Sequence, residues 1–176
     1  RSITVEGFRG IGPAQTLEPR PGPGLTLVVG RNGSGKSSFA EGLEVLLTGD
    51  SLRWKERAAV WREGWRNLHH PLTSLSGTFL VEGERGPCLV SRRWGPEAAF
   101  EAGDALAQVD DKPSCDLGSL GWTAALHTHR PFLSYNELGS LLDEGPSKLY
   151  DALSSILGLE DLVLVEVAAQ LGVLRI

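Results

Sequence analysis

The sequence predicts an α/β fold in which a buried strand and a helix flank a glycine-rich loop, beside an antiparallel β region. Residues 25–29 form a continuous apolar run, which is typical of a strand buried on both faces. A helix is predicted over residues 36–47, because apolar residues recur there at helical spacing and Gly49 can cap its end. Residues 78–82 and 87–94 are predicted to pair as a β-hairpin.

The rest of the chain gives weaker patterns. Residues 2–8 alternate between apolar and polar side chains and predict a first strand, whereas the Pro- and Gly-rich residues 13–23 predict a loop. Residues 95–120 follow no clear pattern. Apolar spacing predicts further helices over residues 52–68, 137–142, 146–157 and 160–171.

Composition and charge limit the class of protein. The 176 residues make one ordinary domain, 22% of them are charged, and no apolar run is long enough to cross a membrane. The two cysteines lack the spacing of a metal site, and their occurrence in a chain with the glycine-rich loop of residues 30–37 favours a reducing, cytoplasmic setting. Because the net charge is −5, any contact with nucleic acid must be local. The sequence contains no methionine, so we expect the chain to be part of a longer polypeptide.

The glycine-rich loop carries the chemistry. Residues 30–37 read Gly-Arg-Asn-Gly-Ser-Gly-Lys-Ser, which is the P-loop pattern. Gly33 and Gly35 can adopt backbone angles closed to other residues, so successive N–H groups point into one concavity at a helix N-terminus. Lys36 is predicted to reach the β- and γ-phosphates of ATP, and the Ser37 hydroxyl to bind Mg²⁺. The predicted MgATP site comprises Gly30, Arg31, Asn32, Gly33, Ser34, Gly35, Lys36, Ser37 and Ser38.

Hydrolysis would also need an acidic residue that holds Mg²⁺ at the end of another strand. The local candidates are Glu82, which follows a predicted strand, and Glu166, which follows the apolar residues 162–165. Neither is followed by the expected second acid. We therefore interpret both primarily as charges at a strand end and on a helix surface.

Two other groups of residues have both a functional and a structural interpretation. Three tryptophans lie among four arginines and could form a nucleic-acid surface, but they share one helical stripe, which favours packing in the core. The residues are Trp54, Trp61 and Trp65 with Arg53, Arg57, Arg62 and Arg66. The pairs His69–His70 and His127–His129 have no cysteine or acid at ligand spacing, so we interpret them as ordinary histidines.

Three segments resemble the SMC-like (structural maintenance of chromosomes) ATPases, a group that includes the double-strand-break repair ATPase and RecF-like proteins. The segments are residues 3–10, the P-loop with the helix through residues 39–49, and residues 132–138 followed by 156–162. The resemblance implies a P-loop NTPase fold of the ABC/SMC head type. This chain would be the N-terminal lobe, with an antiparallel β region beside the P-loop strand and helix.

The resemblance also implies residue roles. Arg9 is expected near the nucleotide, and residues 132–138 match the family's Q-loop, whose glutamine aligns with Tyr135 here. A tyrosine lacks the reach and polarity of that glutamine. The predicted substitutes are Asn136 as a Mg²⁺ ligand and Glu137 as a catalytic residue together with Lys36.

The predicted organisation is an N-terminal half-head over residues 1–158 and the start of a coiled-coil or linking helix over residues 159–176. The implied partners are a C-terminal half of the head, in the same or a separate chain, a second head in an ATP-bridged dimer, and DNA, with no membrane. The implied activity is ATP hydrolysis that drives head dimerisation on DNA in repair, recombination or defence. The implied location is the cytoplasm, with association with the nucleoid as an alternative. One alternative is a small-molecule or nucleotide kinase, although the sequence shows no obvious lid with paired arginines for a second substrate. The other is an ATP-gated scaffold without turnover.

Overall fold

The computed structural model describes residues 1–51, 54, 63–122, 125–126, 132 and 150. The chain divides into two units, Arg1–Thr123 and Ala124–Ile176, and the elements described here belong to the first. They are β1 (Ser2–Glu6), β2 (Gln15–Leu17), α1 (Lys36–Thr48), β3 (Thr73–Phe79), β4 (Cys88–Trp94), β5 (Asp104–Val109) and β6 (Cys115–Asp116). Short 3-10 turns cover Phe100–Ala102 and Leu117–Leu120. The helices predicted beyond residue 123 lie outside the described residues, as does most of the one predicted over residues 52–68.

The six strands form one antiparallel sheet in the order β2-β1-β3-β4-β5-β6. β1 lies between β2 and β3, with Glu6 opposite Ser74 and Ser2 opposite Thr78. The C-terminal end of β1 therefore meets the N-terminal end of β3. The turn that follows β1 lies at this end of the sheet.

Helix α1 covers one face of the sheet. Val45 and Leu46 are fully buried against strand residues such as Val5 and Leu75, which are also fully buried. Each such side chain contributes about 1.5–3 kcal/mol through burial. The alternate strand positions point to the other face, where Thr4, Ser76 and Ser91 follow one another across β1, β3 and β4 and the exposed Leu89 and Leu106 lie on β4 and β5.

Aromatic rings fill a second part of the core. Trp54 and Trp65 are only 4% and 7% exposed, and both pack edge-on against Phe100, at centroid distances of 5.0 and 5.4 Å. The Trp94 ring lies 5.1 Å from that of Trp65, and its Nε1 donates to the Phe100 carbonyl at 2.8 Å. The core interpretation of the tryptophans is therefore confirmed for Trp54 and Trp65.

The structure confirms some predicted elements and moves others. α1 and its left-handed cap at Gly49 (φ 78°) are as predicted. β3 begins at Thr73, five residues before the predicted position, because Thr73 and Gly77 occupy buried positions of the strand without being large apolar residues, which obscures the alternation. β2 lies inside the stretch predicted as loop, where it pairs with β1.

The strand predicted over residues 25–29 is absent from the described structure. Leu25, Leu27 and Val29 are 91%, 76% and 77% exposed, and the segment pairs with no described strand. An all-apolar strand of this kind requires neighbouring strands and layers on both faces. The prediction is therefore wrong for the described residues, because they do not supply those neighbours.

Gly7 ends β1 at a point where a side chain would not fit. Its φ is +60°, and a Cβ built there collides with the backbone carbonyl of Leu72. We expect Gly7→Ala to lower the free energy of unfolding by roughly 2 kcal/mol through this collision and the left-handed strain. Gly83→Ala is the matched control, since its φ is +86° with open space around it, and should cost about 1 kcal/mol. Urea unfolding measures the unfolding free energy of both variants. Equal losses in Gly7→Ala and Gly83→Ala would show that the collision with Leu72 adds no cost.

Glu6 should make stability depend on acidity. His70 Nε2 lies 3.0 Å from one Glu6 carboxylate oxygen, and Ser74 Oγ donates to the other at 3.1 Å. The hydrogen bond with His70 lowers the pKa of Glu6 below its ordinary 4.5, against the opposing effect of burial. A lowered folded-state pKa adds stability above the unfolded value that is lost as pH falls through the folded value. The difference in unfolding free energy between wild type and Glu6→Gln should therefore shrink below about pH 4.5, and a constant difference would contradict this role.

Candidate functional site

The glycine-rich loop precedes α1 directly. Gly33 and Gly35 have φ values of +82° and +86°, which are open to glycine and strained for other residues. A Cβ on Gly33 would meet nothing within 4 Å, whereas one on Gly30 would lie 2.7 Å from Ser34 Oγ. The two positive φ angles turn the backbone as the P-loop pattern predicts.

The loop ends at a helix N-terminus that no side chain caps. Gly35 is the N-cap residue, and the Phe39 N–H donates to its carbonyl at 3.1 Å. The first N–H groups of a helix have no acceptor inside the helix, and the helix dipole makes this end electropositive. Acidic residues are absent from the first turn of α1. The geometry therefore suits an anion such as a phosphate.

The side chains of the site fit a triphosphate with Mg²⁺. Lys36 Nζ donates to the carbonyls of Gly30 and Arg31, both at 2.8 Å, so the ammonium lies over the loop. Ser37 is exposed, whereas Ser38 is 7% exposed and faces Gly10, whose built Cβ lies 3.8 Å from Ser38 Oγ. Lys36 and Ser37 therefore have side chains within reach of a ligand at the loop, and the buried Ser38 hydroxyl packs against the turn behind it.

The turn over residues 7–12 packs behind the loop and carries Arg9. Its residue Ile11 has side-chain carbons 2.9 and 3.2 Å from the Cβ position of Gly35. Arg9 Nε donates to Glu41 Oε2 at 2.8 Å, and its guanidinium lies 5.0 Å from the centroid of the Trp54 ring. The structure thus places Arg9 beside α1, and its expected position near the nucleotide stays a prediction.

Other predicted residues lie elsewhere. Tyr135, Asn136 and Glu137 fall outside the described residues, as do His127, His129 and Glu166. Glu82 lies in the exposed turn after β3, at the end of the sheet away from the P-loop, roughly 20 Å along the strands. Arg66 donates to the carbonyls of Gly95 and Ala98 and lies over Trp65, which gives it a structural role. In the described ranges, no cluster of three metal-ligating side chains is present.

Two buried carboxylates of α1 were not identified from the sequence. Glu41 and Glu44 are each 7% exposed. Glu41 pairs with Arg9, and Glu44 accepts a hydrogen bond from the buried Ser51 hydroxyl at 2.9 Å. The sequence feature that could have identified them is an acidic residue on the apolar stripe of an amphipathic helix. A charge buried at such a position requires a hydrogen-bonding or oppositely charged partner.

Comparisons with known proteins find matches that include the P-loop and the elements around it. A family model described as an AAA domain matches residues 2–82. The chain is similar to proteins named DNA replication and repair protein RecF. That of Magnetococcus marinus is 34% identical over 137 residues, which cover 69% of this chain and 35% of the relative. Those of Shewanella amazonensis and Shewanella baltica are 29% and 31% identical, and each alignment covers 82% of this chain and 35% or 34% of the relative.

The chain thus spans about a third of the length of the curated relatives it matches. Among the described residues, no helix has the length and apolar character needed to cross a lipid bilayer. The matched stretch contains β1, the P-loop, α1 and β3, which are the elements that build the site. The matches to the AAA-domain model and to RecF proteins support membership of this chain in the group of RecF-like and SMC-like ABC-type ATPases.

Proposed function

We propose that this chain binds MgATP through residues 30–38. The observation that carries the proposal is the uncapped start of α1, with Gly33 and Gly35 at positive φ and the Lys36 ammonium over the loop. Backbone N–H groups of this loop would hold the phosphates, and Ser37 would hold Mg²⁺. Bound Mg²⁺ would neutralise charge on the phosphates during hydrolysis.

We further propose that a C-terminal half of the head completes this chain. The exposure of Leu25, Leu27 and Val29 supports this, because a continuous apolar strand before a P-loop requires neighbouring strands. Turnover would then need the acidic residue of that half, with Asn136 and Glu137 as this chain's Mg²⁺ ligand and catalytic residue. Two completed heads would join around ATP on DNA, and the names of the relatives, which refer to DNA replication and repair, support this setting. We expect the protein in the cytoplasm.

The experiment is a comparison of MgATP binding and ATP turnover by the full-length protein, with and without duplex DNA. Binding with turnover that DNA accelerates supports the whole proposal. Tight binding without turnover supports the scaffold alternative, in which Tyr135 fails to replace the Q-loop glutamine. Phosphoryl transfer to a nucleoside or sugar, or no binding of MgATP at all, would overturn the proposal.

A further inference from the structure

Arg9 sits at a strained and tightly held position. Its φ is +53°, in a region that costs a residue other than glycine on the order of 1 kcal/mol. The Arg9 N–H donates to the Trp65 carbonyl at 2.8 Å, and Asn67 Nδ2 donates to the Arg9 carbonyl at 3.0 Å. Such strain persists only where the surroundings fix the backbone, and it is concentrated at functional sites.

The Arg9 side chain connects the turn over residues 7–12 to α1. Its guanidinium is bonded to Glu41, with side-chain exposures of only 14% and 8% for the two residues. It also donates to the Gly64 carbonyl at 3.4 Å and covers the Trp54 ring. A largely buried charge pair whose cation makes further contacts holds a fixed geometry better than an exposed pair does.

The same turn contacts α1 at successive points along one helix face. Ile11 lies against Gly35, Gly10 against Ser38, and Phe8 within 3.9 Å of the Cβ position of Gly42. Positions three and four apart share a helix face, and Glu41 adjoins this row. The N-terminal part of α1 thus packs against residues 7–12, the segment that contains Arg9.

We propose that Arg9 is a positioning residue for nucleotide binding, which acts through its ion pair with Glu41 by fixing the start of α1 and the loop that precedes it. This rests on the proposed MgATP site. Phosphates bind to backbone groups whose direction is set by this helix start, so a small shift of the helix weakens every phosphate contact together. Arg9 need not contact the nucleotide for this effect.

The test uses the full-length protein with Arg9→Ala, Glu41→Gln, the double variant, and Arg20→Ala as a control that removes an exposed arginine. The readouts are the Kd for MgATP, the Kd for MgADP and the melting temperature. We expect each single variant to weaken ATP and ADP by the same factor, on the order of tenfold. The double variant should bind no more weakly than Arg9→Ala, because the ion pair through which both residues are proposed to act is already lost in either single variant.

Different outcomes would overturn the proposal in distinct ways. A loss in Arg9→Ala that is much larger for ATP than for ADP, with Glu41→Gln unchanged, would make Arg9 a direct phosphate ligand. A lower melting temperature with unchanged affinities, measured well below melting, would make the pair purely structural. Glu41→Gln keeps the shape of the side chain, so it supplies the comparison if Arg9→Ala does not fold. Failure of the wild type to bind MgATP would instead overturn the proposed function.

Discussion

Replacing Lys36 with alanine is expected to weaken MgATP binding by the full-length protein by a factor on the order of a hundred or more, which corresponds to about 2.7 kcal/mol. The Lys36 ammonium is held over the loop by bonds to the carbonyls of Gly30 and Arg31, next to the N–H groups that we propose to bind phosphate. On binding, the ammonium would exchange these neutral carbonyls for charged phosphate oxygens, which form stronger hydrogen bonds. Equilibrium titration with MgATP measures the loss.

The melting temperature should hardly change in this variant, because both Lys36 bonds are exposed and bonds at such sites contribute little to stability. Lys112→Ala is the matched control. Lys112 is an exposed lysine paired with Glu84, on the turns beyond β3 and β5, so its loss should leave MgATP affinity unchanged. Normal MgATP binding by Lys36→Ala would disprove the central assignment of the loop.

The geometry of the glycine-rich loop and the start of α1 could be predicted from the sequence because both are local. A P-loop depends on glycines, a lysine and a helix start within a few residues, and the whole pattern is visible in residues 30–37. The Gly49 cap and the apolar stripe of α1 are local in the same way. Each of these features needs no information from a distant part of the chain.

The features that the sequence did not reveal depend on distant partners. The Arg9–Glu41 ion pair joins residues 32 positions apart, so neither residue alone indicates a buried pair. β2 forms in a Pro-rich stretch because β1 offers it an edge, with Thr4 and Thr16 sharing a hydroxyl hydrogen bond of 2.8 Å. The segment over residues 25–29 also depends on distant partners. Its sequence predicts a buried strand, but the described residues provide no neighbouring strands for it.

That segment carries the second large expected effect. Leu27→Asp should abolish ATP turnover in the full-length protein, because the proposed completion of the head would bury residue 27 and a buried unpaired carboxylate costs several kcal/mol. In the isolated 176-residue chain, where Leu27 is 76% exposed, the same substitution should change the unfolding free energy by less than about 0.5 kcal/mol. The same substitution is thus expected to abolish turnover in the full-length protein and to leave the stability of the 176-residue chain nearly unchanged.

Leu80→Asp is the control that separates the expected loss of turnover in Leu27→Asp from any general cost of replacing an exposed leucine with an acid. Leu80 is also exposed, at 55%, but it follows β3 at the end of the sheet away from the P-loop. Turnover and stability should survive this change in both contexts. If Leu27→Asp also left turnover in the full-length protein intact, residues 25–29 would not be a buried strand there, and the P-loop would have to be supported without the completing half. Loss of turnover in Leu27→Asp but not in Leu80→Asp would therefore link the proposed ATP turnover at the P-loop to burial of residues 25–29 in the completed head.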